Sequence, residues 1–140
     1  MGCDIHGTLE ILRYKTLGWE FTALVPGTRT YDWFGVLAGV RNYVNAIPIS
    51  ELRGIPDKLS EKTSEDIAYW DGDGHSHSWL THKDFTDYDW TQQFVDGRGG
   101  ETLTARDLIR DEWRTFLEYM KGLADIYGAE KVRIIFWFDN

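Results

Sequence analysis

The last ten residues, KVRIIFWFDN (131–140), constrain the fold more than any other stretch. From Ile134 to Phe138 every side chain is apolar, so an extended segment here has no polar face. Such a strand belongs in the middle of a sheet, because an edge or a solvated face would expose half of it. The opening stretch supplies another strand. In CDIHGTLEILRY (3–14), Ile5, Leu9 and Ile11 alternate with Asp4, His6, Thr8 and Glu10, giving one apolar face and one ionisable face. The chain turns at KTLG and returns through WEFTALV (19–25) as a hairpin, which Pro26 and Gly27 end.

The middle reads as helices and loops. TYDWFGVLAGV (30–40) predicts a short helix with Tyr31, Phe34, Leu37 and Ala38 on one side. Residues 41–60, with Pro48, Gly54 and Pro56, form a long connection of the kind that often carries function. SEKTSEDIAYW (60–70) predicts a turn of helix, and Thr81 with Asp84 predicts a capping box for a short helix to about Asp87. DGRGG (96–100) is a flexible connection. Thr104 then caps the longest predicted helix, 105–127, in which Ile109, Trp113, Phe116, Met120, Leu123 and Tyr127 recur at helical spacing before Gly128. The expected architecture is α+β, a single domain over residues 1–140. A small antiparallel sheet of three or more strands includes both termini. The 105–127 helix covers one face, and the other carries Asp4, His6 and Glu10.

Composition narrows the function. A net charge of −8 repels a phosphate backbone, which argues against a nucleic-acid polymer as partner but leaves room for a small anion held by arginines. No apolar run approaches the roughly 20 residues of a membrane span. No secretory leader is expected, and N-terminal acylation wants Ser or Thr where this chain has His6. The lone Cys3 makes no internal disulfide and fits a reducing cytoplasm. Nothing in the pattern sets the oligomeric state.

The chemistry-bearing groups fall in four places. Asp4 and His6, two apart on a strand, stand side by side as metal ligands or an acid–base pair must. In DGDGHSHSW (71–79), His75 and His77 form an H-x-H pair whose rings point to one side when extended, with Asp71 and Asp73 as nearby carboxylates. A calcium loop fits poorly, since its twelfth position holds His82 and not Glu. Arg41, Asn42 and Arg53 lie in the loop-rich middle, where they can grip a phosphate or carboxylate. Asp139, at the end of the last strand, comes near Asp4 and His6 if the terminal strands pair antiparallel. A Cys3–His6 nucleophile is a further possibility, whereas the H-x-T half-motif at His6 lacks its second copy.

The blocks MGCDIH, LAGVRN, RGIPD followed by Ser60, DGHSHSWLT and FWFDN resemble a set of uncharacterised small proteins found largely in bacteriophages and their hosts. The resemblance runs over most of the chain and implies a phage-type protein in the host cytoplasm. It transfers no activity. Its blocks hold Cys3, Asp4, His6, Arg41, Asn42, Arg53, Asp57, Asp73, His75, His77 and Asp139, which favours one composite pocket.

These residues predict a metal-assisted hydrolase of a small phosphorylated or nucleotide-like substrate. His6, His75 and His77, with Asp4 or Asp73, bind a divalent transition metal (Zn, Mn or Fe) that acidifies a water. Asp139 joins the catalytic group, Arg41, Asn42 or Arg53 takes the negative charge, and Trp79 stacks a base. For a phage protein the resemblance points to a nucleotide signal of bacterial immunity. Two rival readings use the same chain: a non-catalytic protein that sequesters such a signal, and an acidic inhibitor that binds another protein.

Overall fold

The last strand is central. In the computed structural model, which describes residues 2–140, β6 (Val132–Asp139) lies between β1 (Asp4–Ile11) and β3 (His75–Thr81). Strand β2 (Glu20–Leu24) adds outside β1, so the antiparallel order is β2-β1-β6-β3. Strand β1 meets β6 in unbroken register from Asp4 opposite Asp139 to Ile11 opposite Val132. A Cβ on Gly7 would stand 2.3 Å from the carbonyl oxygen of Ile135, so the two backbones approach as they do only with glycine there.

Helices α1 (Tyr31–Ala38) and α4 (Asp111–Tyr127) cover the face that carries Ile5, Leu9 and Phe138. Phe34 meets Phe138 edge-on at 5.0 Å, and Trp33 lies 5.4 Å from Trp113. Helix α4 begins at Asp111 and not at 105. The Thr104–Asp107 capping box closes a short 3-10 turn (Ala105–Leu108), after which Ile109 and Arg110 are extended. The apolar stripe itself is as read, with Trp113, Phe116, Met120 and Ala124 buried.

The opposite face carries Asp4, His6 and Glu10, as read from the sequence, but it is covered. Residues 60–70 make a ten-residue helix, α2 (Glu61–Trp70), which lies across it. Ser60 caps it by accepting from the Thr63 N–H, and Thr63 Oγ1 reaches Thr8 Oγ1 at 2.6 Å. Glu10, fully buried, accepts from Ser60 N at 2.7 Å, from Thr63 Oγ1 at 2.8 Å and from Arg133 Nε and Nη2 at 2.9 and 2.8 Å. Arg133 also donates to the Lys58 carbonyl and lies 3.7 Å from the Trp19 ring centroid. Glu10 is therefore a pin for α2.

Helix α3 (His82–Asp87) carries the expected capping box, with both Thr81–Asp84 bonds formed. The DGRGG connection is the turn of a second, two-stranded sheet, β4 (Gln93–Val95) with β5 (Thr102–Thr104). The long 41–60 connection guards the outer edge of β3. Gly54 N donates to the His77 carbonyl and Arg53 N to Ser78 Oγ, both at 3.0 Å. No helix among the described residues is long and apolar enough to cross a membrane.

Candidate functional site

Antiparallel pairing of β1 and β6 puts the even-numbered side chains of β1 beside the odd-numbered ones of β6. Asp4 and His6 therefore share a face with Asp139 and Trp137. His6 Nε2 lies 2.7 Å from Asp139 Oδ1, with the two side chains 25% and 18% exposed. A carboxylate only accepts, so this contact places a proton on Nε2. No hydrogen bond from the described residues reaches His6 Nδ1. From above, the Trp70 ring at the end of α2 stacks on the His6 ring at 4.0 Å and 25°. Beside them, Arg29 donates to both oxygens of Asp4 at 2.8 and 3.0 Å, which holds that carboxyl below the usual range.

His6, but not Asp139, lines the floor of a cleft of about 550 Å³ between α2 and the end of β2. Tyr69 and Trp70 wall one side, Leu24 and Val25 the other, and Trp137 lies at the base. The charged side chains on the α2 wall are Lys62 and Asp66, which are paired at 2.8 Å. Trp137 is only 1% exposed, and its Nε1–H has no acceptor among the described residues. Its ring lies 6.5 Å from His6 on one side and 6.0 Å from His77 on the other.

Strand β3 thus flanks the same central strand, and the histidine stretch does meet the first strand through Trp137. The two histidines of H-x-H do not act together, however. Ser76, at φ 56°, sits in a bulge between His75 and Ser78 that breaks the alternation. His75 comes opposite Phe138, while His77 stacks on Trp137, and neighbours on β6 face opposite ways. His75 is held by Ser76 Oγ at 2.9 Å and Asn140 Oδ1 at 3.0 Å. Burial, followed by repulsion from His75, lowers the His77 pKa, so its ring is neutral near pH 7.

The remaining predicted residues lie elsewhere. Asp73 belongs to an exposed turn (Asp71–Asp73) joining α2 to β3. Asn42 is spent on its own loop, bonding the N–H and carbonyl of Ala46 at 2.9 and 2.8 Å. Arg53 grips Asp84 through two bonds of 2.7 and 2.9 Å and stacks over Trp79 at 4.7 Å, in a second cleft with Trp19 and Arg133. Arg41, at φ 49°, lies over Tyr31 at 5.3 Å. Asp57 is exposed. Cys3 points into the core and is fully buried, and burial pushes its thiol pKa up, the reverse of an activated nucleophile.

One composite pocket is therefore not what the fold builds. His6 and Asp139 meet and Asp4 flanks them, but of the predicted site residues only His6 lines the cleft. Among the described residues no group of three or more His, Cys, Asp or Glu side chains is placed to hold a metal ion. His6 and Asp139 form an acid–base pair, of which His6 faces the cleft. The sequence reading missed Trp70, Tyr69, Lys62 and Asp66, which all come from the helix read as a single turn. It also missed Trp137, hidden in a run that reads as core. Comparison with protein-family models, curated proteins and solved structures finds no match to this chain.

Proposed function

We propose that the chain binds a small phosphorylated or nucleotide-like ligand in the cleft between α2 and the sheet. The observation that carries this reading is His6, fixed by Asp139 at 2.7 Å and stacked under Trp70 at 4.0 Å at the cleft floor. A histidine with one nitrogen tied down and one unpaired, set among indole rings, suits a planar ring with hydrogen-bonding groups. The resemblance of its sequence blocks to phage proteins points to a nucleotide signal of host immunity as that ligand. The test is equilibrium dialysis against a panel of linear and cyclic nucleotides, with wild type and His6→Ala. Saturable binding lost in the variant supports the reading, and no binding by wild type across the panel overturns it.

A second reading is hydrolysis of the same ligand. The 2.7 Å His6–Asp139 contact favours it, since a carboxylate that orients imidazole leaves the other nitrogen to accept a proton from water. Product chromatography after incubation of the protein with the panel, with and without added Mn²⁺ or Zn²⁺, separates the two. A ligand returned intact under both conditions means sequestration, and one cleaved by wild type but not by His6→Ala means catalysis.

A further inference from the structure

Resting on that binding reading, we infer that the cleft recognises an uncharged heteroaromatic ring and leaves any phosphate outside. Its walls are aromatic and aliphatic: Tyr69 and Trp70 from α2, Leu24 and Val25 at and just past the end of β2, and Trp137 below. Tyr69 is 81% exposed and Leu24 59% exposed, apolar surface standing free at the cleft mouth. The charges are already matched within the protein. Lys62 and Asp66, the charged side chains of its lining, pair at 2.8 Å, and Arg29, outside the lining, is held by both oxygens of Asp4. A phosphate entering here would have to break the Lys62–Asp66 pair and would meet Asp66 in doing so. Such an exchange gains little, because the cation loses one anionic partner for each it acquires.

An unpaired polar group points to a ring instead. His6 lines the cleft beside the stacked Trp70 ring, and no described residue satisfies its Nδ1. That nitrogen calls for a ligand with hydrogen-bonding groups in its ring plane, as purine and pyrimidine bases have. The buried Trp137 below adds aromatic surface. The base stacks against Trp70 or Tyr69, and the sugar and phosphate extend past Lys62 towards solvent.

Isothermal calorimetry with the four common nucleosides, their 5′-monophosphates and inorganic phosphate tests this. At least one nucleoside is expected to bind within about threefold of its monophosphate, far short of the more than tenfold that a charge-assisted bond to phosphate supplies. Raising salt from roughly 50 to 500 mM is expected to leave that affinity nearly unchanged, as screening acts on charge and not on stacking. Trp70→Ala, with its fold checked by circular dichroism, is expected to weaken the nucleoside about fivefold or more. Binding that needs the phosphate, weakens steeply with salt, or is competed by inorganic phosphate overturns the inference and leaves ligand binding standing. No binding by any probe overturns both.

Discussion

Replacing Glu10 by glutamine tests whether the buried ion pair holds α2 on the sheet. The side chain keeps its size but loses its charge, and Arg133, 5% exposed, then sits in the interior without a counter-ion. Removing one partner of a buried pair costs about 3–5 kcal/mol, a large share of the 5–15 kcal/mol that keeps a domain folded. For 140 residues the unfolding entropy is roughly 0.3 kcal/mol/K, so the loss corresponds to about 10–17 °C in Tm. Thermal unfolding followed by far-ultraviolet circular dichroism reads this directly, and urea unfolding at 25 °C gives the free energy independently. The double variant Glu10→Leu/Arg133→Met removes both charges. It is expected to recover at least about half of the single-variant loss, since the cost arises from an unpaired charge. A Glu10→Gln cost below about 1 kcal/mol, the level of an exposed pair, would refute the reasoning. So would single losses that simply add.

Other perturbations have equally definite outcomes. Thr81→Ala removes the cap of α3 and is expected to cost about 1 kcal/mol by urea unfolding. In acid, Asp96 is held at about 2 by hydrogen bonds from Arg98, so its contribution is full above the unfolded value of about 3.9 and is lost as pH falls through about 2. Arg98→Gln is therefore expected to flatten the acid limb of the stability curve. Burial lowers the pKa of His82, whose unfolded counterpart takes up a proton first as pH drops below about 6.5. Stability should fall from that pH downwards, and His82→Leu should reduce the fall. Cys3 is fully buried with a raised pKa and is expected to resist a thiol reagent in the native protein and to react at once in guanidinium.

Much of the frame is legible in the sequence because it rests on strong local rules. The two-faced apolarity of 134–138 places β6 at the centre, and alternation in 4–11 gives β1 its faces. From those two strands follows the approach of Asp139 to His6, the one tertiary contact of the site that the sequence foretells. The H-x-H geometry fails for an equally local reason. A single residue, Ser76 at positive φ, breaks the period-two pattern, and serine gives no warning of it. Helix α2 is the larger loss. Only Thr63 of its ten residues is buried, so it has no apolar stripe to read, and it is fastened by buried polar groups drawn from three segments. Trp70 travels with that helix, and so the wall of the cleft stayed hidden. Arg53 and Asn42 look like free binding groups in the sequence because their partners, Asp84 and the Ala46 backbone, are set by the folded loops.

The most direct test of the cleft is nuclear magnetic resonance of the seven indole N–H groups during nucleoside titration. The account predicts saturable shifts of the Trp70 and Trp137 signals, at one shared dissociation constant. Trp19 and Trp79, in the second cleft, stay in place. Shifts confined to Trp19 and Trp79, or spread evenly over all seven without saturation, would contradict it.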